Sequence, residues 1–226
     1  HGESLANMPR GEHSVLPGVT TLITAHCGGS ALDVAAFFKN VTETMVSPNV
    51  ATLIGHNTVR RKAMGGDFDR APTPAELDTM RTLTDQAMRD GAVGLSTGLI
   101  YMPGVFSKTD EIAEMAKVAA RYGGIYVSHL RSEGTNLLEA IQEVIDLCKA
   151  SGCRGDVSHI KASGNASWGT SAAALQLIDE ARAFVYHGSA GGLMLVPQWA
   201  VEGGHTDGVY GAAMASAGDV NGDGYS

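Results

Sequence analysis

Hydrophobic positions along the chain follow two alternating spacings. Short runs rich in β-branched residues, such as GVTTLIT and NVATLIG, break at glycines and predict strands. Between such runs lie segments with apolar residues at helical spacing, such as NLLEAIQEVIDLCKA. From Val19 to Arg182 the pattern predicts five strands alternating with helices, and hence an α/β fold of parallel β/α units. It fits part of a (β/α)8 barrel or an open doubly wound sheet, and does not choose between them.

The clearest predicted helix lies in TPAELDTMRTLTDQAMRDGA. Thr73 is placed to cap its N-terminus, Pro74 to occupy the first helical position and Glu76 the third, and Gly91 ends it. Three further segments, SKTDEIAEMAKVAARYGG, TNLLEAIQEVIDLCKASGC and SAAALQLIDEAR, predict helices. Because no G-x-G-x-x-G motif leads from a strand into a helix, the sequence gives no support for a dinucleotide site.

The pattern changes at about Ala183. The remaining segment lacks helical spacing and consists of short apolar runs between glycine-rich turns, which predicts an all-β tail. We therefore predict two domains, residues 1–182 and 183–226. The predicted boundary lacks the flexible polar linker that usually separates domains.

Composition excludes some function classes. The 226 residues carry a net charge of −8 without a basic stripe, so a nucleic-acid partner is not expected. No apolar run reaches the roughly 18 residues of a membrane span. The three cysteines are an odd number without framework spacing, which argues against a disulfide scaffold. The chain starts with His1 rather than Met, so its first residues give no information on a leader peptide.

Three of the predicted strands end in residues that could bind a metal. Cys27 ends the first strand in AHCGGS, His129 ends the fourth in YVSHLRSE, and His159 ends the fifth in DVSHIKASG. The carboxyl ends of parallel strands share one face, so these three side chains should converge. One thiolate and two imidazoles suit zinc best. The alternative is that each histidine is a hydrogen-bonded core residue, as we expect for His56 in LIGHN.

The segments GVTTLITAHCGGS, GAVGLSTGLIYMPG, GGIYVSHLRSEG and DVSHIKASGNASWG resemble the D-aminoacylase (N-acyl-D-amino-acid deacylase) branch of the amidohydrolase superfamily. The resemblance extends over Val15–Arg182. It implies a partial TIM barrel and zinc-dependent hydrolysis of the amide bond of N-acyl-D-amino acids, which would be the small-molecule partner. On this resemblance Cys27, His129 and His159 are the tight zinc ligands.

The same resemblance implies further site residues. Tyr101 in GLIYMPG and Lys161 in SHIKASG fall on positions that hold the substrate carboxylate, and His1 is a candidate for one histidine of the family's HxH pair, although its spacing is not a clean match. The resemblance implies that the aspartate which serves the family as general base belongs to late barrel strands that this sequence lacks, and no residue after Ala183 is placed to replace it. We therefore assign no catalytic base and expect impaired activity. The base and the late barrel strands would lie beyond residue 182, where the resemblance ends.

The tail, Phe184–Ser226, resembles an FG-GAP repeat, the blade unit of integrin-alpha-type propellers. Asp219, Asn221 and Asp223 in DVNGDG carry calcium-ligand spacing, but the chain ends before a closing carboxylate, so weak calcium binding is expected. The chain would then join two protein classes at about residues 180–183. Two alternative functions follow: a calcium-dependent propeller-type binding or adhesion module, or an inert chimera. The barrel part favours a cytoplasmic location and the tail an extracellular one.

Overall fold

The computed structural model describes residues 5, 9–181, 183–185 and 199–201. It divides into two compact units, His1–Ser167 and Trp168–Ser226. The first unit contains α1 (Glu12–Val15), β1 (Thr21–Thr24), α2 (Val34–Thr44), β2 (Asn49–Thr52), β3 (Ile54–Gly55), α3 (His56–Met64), α4 (Pro74–Arg89), β4 (Gly94–Gly98), α5 (Thr109–Arg121), β5 (Ile125–His129), α6 (Leu137–Ser151) and β6 (Arg154–Val157). None of the described helices is both long and apolar enough to cross a membrane.

The strands of the first unit are parallel and follow chain order. β1 pairs with β2, and β3, β4, β5 and β6 form a four-stranded sheet in that order. A helix connects β4 to β5 and another connects β5 to β6, as parallel neighbours require. The predicted α/β fold with parallel β/α units is confirmed.

The second predicted strand is wrong as a single element. NVATLIG forms β2, which pairs with β1, and β3, which pairs with β4, with Leu53 between them. The backbone stays hydrogen-bonded across the interruption, because the Leu53 amide donates to the Thr24 carbonyl and the Val93 amide donates to the Thr52 carbonyl. The segment therefore belongs to both sheets, and its pairing changes at Leu53, whose side chain is completely buried.

The core lies between the sheet and the helices that connect its strands. Leu95 and Tyr126 are fully buried in the sheet, and α5 contributes Ile112 and Met115 from its apolar stripe. Burial of each such side chain is worth roughly 1.5–3 kcal/mol. The capping box predicted for α4 is present: Thr73 accepts from the Glu76 amide, and the Glu76 carboxylate accepts from the Thr73 amide.

Three of the described helices, the four-residue α1 and the longer α2 and α3, were not predicted. Asp33 caps α2 by accepting a hydrogen bond from the Ala36 amide, so its sequence signal is a single side chain. Helix α3 begins at His56 directly after β3, and Gly55 at its N-cap offers no side chain. A strand that passes into a helix without an intervening loop leaves no turn residues for the pattern to detect.

The second unit contains α7 (Ser171–Glu180) and two short strands, β7 (Ala183–Val185) and β8 (Trp199–Val201), which pair antiparallel. Helix α7 agrees with the predicted helix SAAALQLIDEAR. The propeller-like fold predicted for the tail falls mostly outside the described residues, and the predicted boundary at residue 183 stays a prediction.

Candidate metal centre

Cys27, His129 and His159 lie together at the carboxyl ends of their strands. One ligand atom from each lies within 4.8 Å of the other two. Cys27 Sγ is 3.7 Å from His129 Nδ1, and the rings of His129 and His159 have centroids 4.4 Å apart at an interplanar angle of 72°. Three residues from distant parts of the sequence thus offer a sulfur and two ring nitrogens to one small volume.

Cys27 is held by a loop that lies directly against the ends of β3 and β4. Ser96 accepts a hydrogen bond from the Gly28 amide and donates one to the Ala25 carbonyl. Gly28 has φ 76°, in the left-handed region that glycine adopts most easily. At Gly98, a Cβ atom would overlap the Cys27 carbonyl oxygen. The position of the thiol therefore depends on direct backbone contact between the loop and the strand ends.

The two histidines are presented differently. His129 is the last residue of β5, is buried, and has the Tyr101 ring against it with centroids 4.7 Å apart. His159 lies two residues beyond β6 and has φ 39°, a backbone conformation uncommon for a residue with a side chain. Its side chain is 40% exposed, so the cluster is open to solvent on this side.

Burial shifts the pKa values of Cys27 and His129. It raises the pKa of the Cys27 thiol, an effect that the nearby Lys161 ammonium partly opposes. It also lowers the pKa of His129, and the neighbouring His159 ring lowers it further. A cation in contact with the sulfur would favour the thiolate, and a neutral imidazole is the form that binds a metal.

Glu133 and Lys161 complete the cluster. Glu133 Oε1 lies 2.7 Å from Lys161 Nζ, 3.0 Å from His159 Nδ1 and 3.9 Å from His129 Nε2. These are ion-pair contacts rather than hydrogen bonds, and the oxygen is buried. Sequence reasoning missed Glu133. Its only signal is that it follows a predicted ligand by four residues, in SHLRSE.

A second histidine–carboxylate cluster lies nearby. His56 Nε2 donates to Glu111 Oε1 at 2.9 Å, and Arg60 pairs with the other oxygen of Glu111. His56 and Arg60 are fully buried and Glu111 nearly so. His56 Nδ1 contacts the Asn57 side chain at 3.3 Å, so both ring nitrogens of His56 are engaged. This arrangement agrees with the structural role predicted for His56.

The predicted site residues therefore divide into two groups. The structure brings together the side chains of Cys27, Tyr101, His129, His159 and Lys161. Lys161 is half exposed, and its Nζ lies 3.2 Å from His159 Nδ1. The other candidates, His1, Asp219, Asn221 and Asp223, lie outside the described residues, so the HxH and calcium predictions stay predictions.

The donor set fits zinc. A thiolate and two imidazoles make a three-ligand set of the catalytic type, which leaves a coordination position free. The buried Glu133 oxygen beside both histidine rings supports this assignment, because histidines that bind metals commonly have a carboxylate behind them.

Comparison with known proteins relates most of the chain to deacylases. Over 175 residues it is 39% identical to an N-acyl-D-glutamate deacylase of Alcaligenes xylosoxydans xylosoxydans, with 76% of this chain and 36% of the relative covered. It is 33% identical to a D-aminoacylase of the same organism, with 74% and 39% covered. The chain thus spans less than two-fifths of the length of these relatives. No family model matches the chain.

A solved structure gives the same relation at the level of the fold. The N-acyl-D-glutamate deacylase of Bordetella bronchiseptica, in complex with zinc and a phosphonate that mimics the tetrahedral intermediate, superposes with a TM-score of 0.75 at 34% identity. The match covers 79% of this chain and 42% of that protein.

Proposed function

We propose that this chain, for which homologues and structural neighbours support the D-aminoacylase family of amidohydrolases, carries the zinc-binding and carboxylate-binding part of an N-acyl-D-amino-acid deacylase. Its substrate would be a small N-acyl-D-amino acid and its reaction the hydrolysis of the amide bond.

The convergence of Cys27, His129 and His159 carries this proposal. Their ligand atoms lie within 4.8 Å of one another although the residues are far apart in sequence. Zinc in such a site supplies Lewis acidity, which polarises an amide carbonyl and favours attack by water. Because a thiolate sulfur and two imidazole nitrogens are softer donors than oxygen, this set suits zinc better than magnesium or calcium, which prefer oxygen ligands.

The remaining residues of the cluster are suited to hold the substrate. Lys161 is half exposed beside the proposed ligands, and an ammonium group there can pair with the α-carboxylate of an amino acid. Tyr101 covers His129 and is itself about half exposed, so its hydroxyl group can add a donor. Together they would fix the acyl amide next to the three proposed ligands.

Metal binding by the whole 226-residue chain is the first test. We expect tightly bound zinc after dialysis, and Co²⁺ substitution should give absorption from thiolate-to-cobalt charge transfer. Cys27→Ser should abolish that absorption. Cys148→Ser is the matched control, because Cys148 is also a partly buried free thiol but lies on α6, outside the cluster. Absence of bound zinc, or equal loss in both variants, would contradict the proposal.

Turnover is a separate test. The zinc-loaded chain is assayed for release of the free amino acid from N-acetyl-D-glutamate, with N-acetyl-L-glutamate as the control substrate. Preference for the D-substrate would support the assignment. The same assay tests the expectation of impaired activity, since lack of a general base typically lowers rates by about 10²–10⁴-fold.

A further inference from the structure

We propose that Glu133 is a positioning residue that orients both histidines of the metal centre and fixes Lys161 beside them. The inference rests on the proposed function, because it assigns a role toward the metal that Cys27, His129 and His159 would hold. Glu133 lies in the loop after β5, and its side chain is 13% exposed.

One oxygen of Glu133 makes all the contacts. Oε1 is 3.0 Å from His159 Nδ1, 2.7 Å from Lys161 Nζ and 3.9 Å from His129 Nε2. This one oxygen therefore lies within ion-pair distance of a ring nitrogen of each histidine and of the ammonium. Lys161 Nζ and His159 Nδ1 are also within hydrogen-bond distance at 3.2 Å, so Glu133, Lys161 and His159 form one contact network.

The ring nitrogens show why Glu133 would act through the histidines. His129 directs Nδ1 toward Cys27 Sγ, so it is the opposite nitrogen, Nε2, that faces Glu133. His159 directs Nδ1 toward Glu133, which leaves its Nε2 available for a metal. A ring N–H group that faces a carboxylate fixes the tautomer, placing the lone pair on the other nitrogen.

The backbone strengthens this link. The Ser163 amide donates to the Glu133 carbonyl at 2.7 Å, so the loop after β6 is attached to the loop after β5. His159 belongs to the attached loop and has a left-handed backbone conformation that its surroundings must maintain. Glu133 therefore contacts His159 with its side chain and the loop that follows His159 with its main chain.

The test is the zinc affinity of the 226-residue chain, measured by competition with a chromophoric chelator. Glu133→Gln keeps the shape but removes the charge, and it should weaken zinc binding by about 10–100-fold. The Co²⁺ spectrum should shift because the rings lose their fixed orientation. Glu143→Gln is the matched control: Glu143 is 14% exposed and pairs with Arg131, and this variant should keep the zinc affinity of the parent chain.

Thermal unfolding of the metal-free variants separates positioning from folding. If both substitutions lower the melting temperature similarly and only Glu133→Gln weakens zinc binding, the positioning role stands. Should Glu133→Gln fail to fold, Glu133→Asp keeps the charge on a shorter side chain and should weaken zinc binding less than tenfold but measurably.

Unchanged zinc affinity in the folded Glu133 variant, or equal weakening by Glu143→Gln, would overturn the inference while leaving the proposed function intact. Failure of the parent chain to bind zinc would instead refute the proposed function. The two failures are therefore distinguishable.

Discussion

Two clusters in the same unit pair histidine with glutamate, and they differ in what the rings do with their second nitrogen. In the His56–Glu111 cluster, both ring nitrogens contact protein oxygens and the carboxylate is shared with Arg60. In the His129–Glu133 cluster, the second nitrogen faces a thiol. The imidazole of the first cluster has no ring nitrogen left for a ligand. In the second cluster, ligand atoms of Cys27, His129 and His159 lie close together.

The difference extends to solvent. His56, Arg60 and Glu111 are sealed in the core, whereas Lys161 and His159 are 50% and 40% exposed. Of the two clusters, only the second is therefore accessible from solvent. A histidine–glutamate pair by itself does not identify a functional site; the direction of the unused ring nitrogen and access from solvent do.

The largest expected effect is on the free energy of unfolding, when the buried cluster of His56, Arg60 and Glu111 is changed. Glu111→Gln leaves the Arg60 guanidinium buried without a counter-charge, so we expect the free energy of unfolding to fall by about 3–5 kcal/mol. Urea denaturation of the metal-free chain measures it. The zinc affinity of the molecules that remain folded should be unchanged, and a large loss of that affinity would break the distinction between the clusters.

We expect zinc to stabilise the chain only by binding to the cluster of Cys27, His129 and His159. At a free zinc concentration 100 times the dissociation constant, mass action adds about 2.7 kcal/mol to the free energy of unfolding. Melting curves with and without zinc should show this increase in the parent chain and in Cys148→Ser. The increase should disappear in His129→Ala. If His129→Ala is still stabilised by zinc, the ligand assignment fails.

A smaller effect should follow from the glycine at the end of β4. In Gly98→Ala the new methyl group overlaps the Cys27 carbonyl, and overpacking of this kind costs about 1–3 kcal/mol. The thiol should also move, so the charge-transfer absorption of the Co²⁺ form should change. Gly29→Ala, in the loop that carries Cys27, is the control, because a Cβ atom at Gly29 meets no atom within 4 Å. Equal effects of both substitutions would contradict the packing argument.

The smallest effect concerns acid. Burial alone would raise the pKa of Glu111, but hydrogen bonds from His56 and Arg60 outweigh it and lower the pKa. The stability that this carboxylate contributes is therefore present above its unfolded pKa of about 4.3 and is lost as the pH falls through its folded pKa. Between about pH 5 and pH 3, the melting temperature of the parent chain should fall more steeply than that of Glu111→Gln. If the melting temperatures of the two proteins fall in parallel over this pH range, the stabilising role of the Glu111 carboxylate is contradicted.

The meeting of Cys27, His129 and His159 could be predicted because each follows a strand, and parallel strands fix where their ends lie. Glu133 could not, since its role depends on how a loop folds back, and loop geometry leaves little periodic signal. The interruption at Leu53 was missed for a similar reason: NVATLIG contains no glycine or proline before Gly55, so nothing in its pattern marks the change of pairing.

That interruption bears on the metal centre. From β1 to β6 there are four intervals between neighbouring strands, which at about 4.8 Å each would span roughly 19 Å in a flat sheet. Yet the ligand atoms of Cys27 and His159, which follow these two outermost strands, lie within 4.8 Å of each other. The strand ends and the loops after them therefore curve toward one another, which brings these ligand atoms together. At Leu53 the segment changes its pairing from β1 to β4, so this fully buried aliphatic residue belongs to the strand that links the Cys27 side of the centre to the His129 side.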